Sequence, residues 1–257
     1  MSEETNTERP ENTYGYPYET IDLPSKGLLY PEESVLRSGK LDIKYMTAKE
    51  EDILTSTNLL KKGVALDRLI NSLILTPGVK TDDLILGDKN AVMVAARILA
   101  YGPEYICEVP NPKTGVEFTH TFDLTKCPFK APPETTEKNE FEMELPISKQ
   151  KLKFKILTGA DERAIEKELK NIESTGVEYA PELTTRLRYV IVSVDGKDDA
   201  ATKNALAQNM LARDSLFFRQ ELERISPDIV LKQQVEIEGD TVEVAIPMTV
   251  GFFWPKA

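Results

Sequence analysis

Residues 40–51 read KLDIKYMTAKEE and residues 151–162 read KLKFKILTGADE. In the first stretch Leu41, Ile43 and Tyr45 alternate with Asp42 and Lys44. That is the period of a half-buried strand, because successive side chains point to opposite faces. Thr47 follows, with Glu50 three positions on. A hydroxyl at a helix entry accepts from one free N–H, and an acid three residues later reaches back to another, so the pair predicts a capped helix start. In the second stretch Leu152, Phe154 and Ile156 alternate, and Thr158 precedes Asp161 at the same spacing. A strand running into a capped helix occurs twice, and each occurrence heads one half of the chain.

Working outward, the same order follows each junction. In the first half a helix runs to Leu60. A second, over 64–74, places Leu66, Leu69, Ile70, Leu73 and Ile74 on one face. Pro77-Gly78 ends it, and Asp88 is placed as the cap of a third helix over 89–101. Strand-like runs over 105–109 and 116–122 then flank the turn PNPKTG. In the second half Leu145-Pro146-Ile147-Ser148-Lys149 echoes Leu23-Pro24-Ser25-Lys26. One helix carries Ala164, Ile165, Leu169 and Ile172, and the next carries Leu183, Leu187, Val190, Ile191 and Val194. Asp198 or Asp199 caps a third helix, which begins KNAL at 203 (against KNAV at 89) and extends to Ile225. Runs over 231–237 and 242–250 close the chain around Glu238-Gly239-Asp240.

The expected fold is therefore α+β, a tandem duplication of a strand–three-helix–β-hairpin unit. A flexible acidic arm, 1–22, precedes a first unit at 23–127 with its hairpin at 105–123. A proline-rich linker, 128–140, leads to a second unit at 141–257 with its hairpin at 231–250.

The chain has 257 residues, 40% hydrophobic, and a formal net charge of −11. That charge argues against a general binder of nucleic-acid backbone, whose affinity comes from Lys and Arg neutralising phosphates. No apolar run is long enough to span a membrane, and residues 1–15 lack the basic-then-apolar layout of a signal peptide, so the expected location is cytoplasmic. Cys107 and Cys127 fit a reducing compartment.

Catalytic chemistry finds little support. Cys107, His120 and Cys127 are single residues without the paired spacing of a zinc site, and the PNPKTG turn lacks a zinc knuckle's thiols. His120 stands alone in a strand, and no nucleophile elbow, phosphate loop or dinucleotide fingerprint is present. Asp214 falls within a broad helical face of Leu206, Met210, Leu211, Phe217, Phe218, Leu222 and Ile225. A carboxylate there needs a partner. Arg186 and Arg188 are the candidates for a structural ion pair; a general acid of raised pKa is the alternative, with no second catalytic group in evidence. The expectation is a chain with no catalytic activity, no metal and no cofactor. Partner-contact candidates are Tyr14, Tyr16 and Tyr18 in the arm, Leu28, Leu29 and Tyr30 in the Pro/Gly-punctuated segment, and Phe252, Phe253 and Trp254 near the end. The terminal aromatics either dock on the core or anchor a partner.

Seven stretches carry a resemblance. They are LPSKGLLYPEES at 23–34, MTAKEEDIL at 46–54, GDKNAVMVAARILAYG at 87–102, LTGADE at 157–162, TTRLRYVIVSVDG at 184–196, LARDSLFFR at 211–219 and FFWP at 252–255. In this order they resemble the baseplate hub subunit and hub-assembly proteins of T-even-type contractile-tailed bacteriophages. The resemblance spans most of the chain from Leu23 onward. It implies a role in building the tail baseplate hub through protein–protein contacts, with other hub proteins and the tape-measure protein as partners. It places the chain in the host cytoplasm during assembly and in the virion baseplate afterwards. The alternative within the family is a transient hub-assembly chaperone absent from the mature virion. Some members carry cysteine pairs in the hairpins, which this chain lacks. The oligomeric state stays open.

Overall fold

The computed structural model describes residues 15, 17–61, 63–176, 179–237, 239–248 and 250–253. Strand β1 (Tyr18–Asp22) pairs antiparallel with β2 (Lys40–Lys44), running from Tyr18 opposite Lys44 to Asp22 opposite Lys40. The end of the expected flexible arm is thus a strand, because Ile21 faces Leu41 and the alternation of β2 needs a partner. The loop between them is packed, with Leu23, Leu29, Tyr30 and Leu36 buried.

Beyond Thr47 the chain forms α1 (Ala48–Thr55) and α2 (Thr57–Lys61). The expected single helix breaks at Ser56, whose ψ of 104° is extended. Helix α3 (Ala65–Leu73) buries Leu69, Ile70 and Leu73, while Leu66 stays exposed. Ile74 then turns extended, bridges to Ile43, and Leu75 N–H donates to Asp42 O at 2.9 Å. Helix α4 (Leu86–Tyr101) is buried along most of its length, as its sequence rich in alanine and aliphatics predicts. Strands β3 (Glu104–Pro110) and β4 (Glu117–Asp123) form the expected hairpin.

The proline-rich segment at 128–140 is fixed at both ends. Strand β5 (Phe129–Lys130) pairs with a strand of the second half. Near its other end the Asn139 side chain imitates a strand neighbour: Oδ1 accepts from Ile156 N–H and Nδ2 donates to Ile156 O, both at 2.8 Å.

The second half opens with β6 (Phe141–Glu144) and β7 (Lys151–Phe154), then α5 (Gly159–Glu173) and α6 (Glu182–Val190). Ile191 and Val194, expected on the helix, instead lie in β8 (Ile191–Val194), which completes a β6–β7–β8 sheet. The expected long third helix is broken into α7 (Ala200–Asn209) and α8 (Ala212–Ile225), because Met210 and Leu211 are both extended, with ψ of 127° and 140°. Strand β9 (Asp228–Ile229) pairs with β5, and β10 (Lys232–Ile237) with β11 (Asp240–Ala245). A 3-10 turn, Val250–Phe253, follows.

The fold is α+β with small antiparallel sheets. With the short α2 of the first half set aside, the order strand, turn, strand, capped helix, helix, extended isoleucine, helix and hairpin occurs in both halves. The second half adds α7 and a full third strand. By position α8, not the KNAL helix α7, is the counterpart of α4.

The halves share one continuous core. Gly159 N–H donates to Leu84 O at 2.8 Å, and Ile85 bridges Thr158. A Cβ on Gly87 would lie 1.9 Å from Pro227 O, and one on Gly159 would lie 2.4 Å from Thr81 O. The tails cross over. Strand β5, at the end of the first half, pairs with β9 of the second. Phe252, at the end of the second, packs edge-on against Tyr105 of the first at 5.0 Å, and its carbonyl accepts from Arg97 Nε at 2.8 Å. Tyr105 Oη donates to Pro247 O at 3.2 Å.

Candidate functional site

Two buried carboxylates hold corresponding places. Asp88 is the third residue of α4 and Asp214 the third of α8, and neither is solvent-exposed. Asp88 Oδ1 accepts from Ser25 N–H at 2.9 Å; its Oδ2 accepts from Ser25 Oγ and Tyr30 Oη, each at 2.6 Å. Asp214 Oδ1 accepts from Ile147 N–H at 2.8 Å and its Oδ2 from Ser148 N–H at 3.0 Å. Each carboxylate clamps the turn after the first strand of its half. In both turns a lysine takes the left-handed conformation, Lys26 at φ 53° and Lys149 at φ 61°. Non-glycine residues seldom adopt that region, and surrounding contacts must hold them there. The LPSK and LPISK echo therefore marks a clamped turn.

Two sequence expectations are corrected. Asp88 does not cap α4, which starts at Leu86; it sits third in the first turn and faces Ser25. Asp214 does not pair with Arg186 or Arg188. Arg186 binds Glu162 at 2.8 Å and Glu182 at 3.2 Å, and Arg188 binds Glu168. The arginines turn to the carboxylates of α5 and α6, while the backbone N–H groups of the 147–148 turn occupy both oxygens of Asp214.

The titrations diverge. Burial pushes the Asp88 carboxyl up, only partly offset by Ser25 and Tyr30, and burial and Asp88 push the Tyr30 phenol up in turn. Burial also acts upward on Asp214, but the Ile147 and Ser148 N–H groups outweigh it and hold the carboxyl below the usual range. A general acid of raised pKa is the opposite of this group. Asp214→Asn turns an amide N–H toward a backbone N–H, whereas at Asp88 two rotatable hydroxyls can accept from the amide. Asp214→Asn is expected to lower Tm by roughly 5 °C, and Asp88→Asn by clearly less, in thermal melts at pH 7. Equal shifts would contradict the difference in donors.

The two helix starts also match in detail. Glu50 Oε2 accepts from Thr47 N–H at 3.0 Å and Thr47 Oγ1 at 2.6 Å, and its Oε1 binds Lys44 Nζ at 2.7 Å. Asp161 accepts from Thr158 N–H at 3.0 Å and binds Lys155 Nζ at 2.8 Å. The shared signal, Lys-x-x-Thr-x-x-acid, is visible at 44–50 and 155–161 once the lysine is included. Burial raises the Glu50 carboxyl, but Lys44 and Thr47 outweigh it and lower it from 4.5 to about 2. A lowered folded pKa contributes stability that is present above the ordinary glutamate value and lost as pH falls through the folded one. Urea midpoints are expected to fall between pH 4.5 and 2, and the fall should be shallower in Lys44→Met. Parallel profiles would refute the pair's role.

The partner-contact candidates divide. Leu29, Tyr30, Phe252 and Phe253 are core residues, at 3%, 6%, 1% and 3% exposure. They serve the chain itself, Tyr30 through Asp88 and Phe252 through Tyr105 and Arg97. Leu28 and Tyr18 are half-buried, and Tyr14, Tyr16 and Trp254 lie outside the described residues. Other large apolar residues are exposed, among them Ile106 and Val116 on the first hairpin, Leu211 before α8, and Leu216 and Phe217 on it. Phe217, expected on the buried face of that helix, is 44% exposed. The signal for these surfaces is apolar residues out of phase with the helix or strand period.

Two clefts accompany them. One of about 730 Å³ lies where the halves meet, lined by Tyr30, Pro31, Val35, Pro77, Asn139 and Thr158. Another of about 570 Å³ lies on the β6–β7–β8 sheet beside Glu142, Met143, Lys151 and Lys153.

Among the described residues no group of three or more His, Cys, Asp or Glu is placed to hold a metal ion. Cys107 and Cys127 are free, and burial pushes both thiols up. His120 packs edge-on against Phe122 at 4.7 Å. No helix among the described residues is long and apolar enough to cross a membrane. Comparison with protein-family models, with curated proteins and with solved structures found no match to this chain.

Proposed function

We propose that this chain works by binding other proteins, without catalysis or cofactor, as a hub component of the tail baseplate of a contractile-tailed bacteriophage. The observation that carries the binding role is the exposure of large apolar side chains on two separate elements, Ile106 and Val116 on the β3–β4 hairpin and Leu216 and Phe217 on α8. Exposed apolar residues of this size are a usual mark of interaction sites when they cluster on an element. The hub assignment rests on the ordered stretches that resemble hub proteins. Its partners would be other hub proteins and the tape-measure protein, met in the host cytoplasm during assembly. The same proposal takes the two halves as a tandem duplication, supported by the matched carboxylate clamps and the matched Lys–Thr–acid helix starts.

A second reading makes the chain a transient chaperone that covers hub surfaces during assembly. An affinity pull-down from infected cells during tail assembly, followed by mass spectrometry of purified virions, tests both. Capture of hub proteins and presence in virions supports the structural role. Capture with absence from virions supports the chaperone. Failure to capture any baseplate protein overturns the assignment.

A further inference from the structure

Helix α4 is clasped by the second half along one stripe. Gly87 lies beneath Pro227 O, Asn90 Nδ2 donates to Asp228 Oδ1 at 3.0 Å, Val94 is buried, and Arg97 Nε donates to Phe252 O at 2.8 Å. Residues 87, 90, 94 and 97 fall on one helix face, at spacings of three and four. Counting from the matched aspartates, the same stripe on α8 is Arg213, Leu216, Gln220 and Glu223. All of them are exposed, and Phe217 beside them is exposed too, where α4 has the buried Ala91. The stripe that is covered in the first half is therefore open in the second, and its centre carries a leucine and a phenylalanine.

We propose that this face of α8 pairs antiparallel with the same face on a second copy of the chain, in a two-fold dimer. Charge placement selects that occupant. Arg213 and Glu223 stand ten residues apart, about 15 Å along the helix, with Leu216, Phe217 and Gln220 between them. An antiparallel two-fold crossing sets Arg213 against Glu223 of the partner subunit at one end. It sets Glu223 against Arg213 of the partner subunit at the other, with the apolar residues at the middle. An isologous interface needs such self-complementarity. A head-to-tail copy of the clasp on α4 is blocked, because Arg213 carries a side chain where Gly87 lets a backbone approach to within van der Waals contact. The inference does not depend on the baseplate reading, since it concerns the chain's association with itself.

Sedimentation velocity on the purified full chain, from low to tens of micromolar, tests it. A reversible dimer is expected. Leu216→Glu with Phe217→Glu should give a monomer whose Tm is unchanged, since both side chains are exposed. Ile106→Glu on the hairpin should leave the dimer intact. Arg213→Glu alone and Glu223→Arg alone should each raise the dimer Kd by ~10-fold, and the two together should restore it to within ~3-fold of wild type. A wild-type monomer throughout, a dimer indifferent to the Leu216 and Phe217 changes, or a charge swap that fails to restore association would overturn the proposal.

Discussion

Gly87→Val is expected to destabilise the protein by about 3 kcal/mol or more, measured by chemical denaturation. In an ordinary helix interior, replacing glycine would gain stability, by about 1 kcal/mol for alanine. Here the sign is reversed by what the new atom meets. A Cβ at position 87 would lie 1.9 Å from Pro227 O, 2.7 Å from Pro227 C and 2.8 Å from Asp228 Cα. All three are backbone atoms, so no side-chain rotation relieves the contact. Moving that backbone means moving β9, which is hydrogen-bonded to β5 and anchored by Asn90 through Asp228. The branched side chain adds bulk at the same point. Gly87→Ala should show the same direction with a smaller loss, and a variant as stable as the wild type would show that the halves do not meet at this glycine.

Phe218→Ala is the second large effect, an expected loss of about 3–5 kcal/mol. Phe218 is fully buried on the inner face of α8, edge-on to Phe154 of β7 at 5.0 Å and 90°. Phe154 in turn lies 5.7 Å from Phe141 of β6, so the ring of α8 is the contact that seats the helix on its sheet. Truncation removes the transfer energy of the ring and leaves a cavity that the surrounding strands cannot collapse into without losing register. Phe218→Leu keeps most of the volume and should cost under about 1.5 kcal/mol. The neighbouring Phe217→Ala, about 100° round the helix and exposed, should change stability by less than about 0.5 kcal/mol. Equal losses at 217 and 218 would reverse the assignment of faces on α8.

The features legible in the sequence are the ones encoded locally. Thr47 with Glu50 and Thr158 with Asp161 mark helix starts because a cap needs only its own turn. The alternation at 40–45 and 151–156 marks strands for the same reason, and the alanine and aliphatic content of α4 marks a buried helix. What escaped depends on distant partners. Ile191 and Val194 continue the helical spacing of Leu187 and Val190, yet the open edge of β7 draws them into a strand. The partners of Asp214 are backbone N–H groups, which leave no trace in residue letters, so the nearby arginines were the natural candidates. Strand β1 follows a polar tail and is held by its register with β2. Phe252 could not be assigned to the first half from any pattern near it. The outward stripe of α8 was hidden because Leu211 and Phe217 read as core residues until the helix break at Met210 and Leu211 set its phase.

The crossed tails constrain how the chain can be made. A nascent polypeptide usually completes its N-terminal unit before the next emerges from the ribosome. Here Arg97 and Tyr105 gain their contacts with Pro247 and Phe252 only when residues 247–253 have been synthesised. The first half therefore keeps part of its core open until the second half has been made. A product released by a stop or a proteolytic cut near residue 245 would keep the elements of both halves and lose the cover over Arg97 and Tyr105.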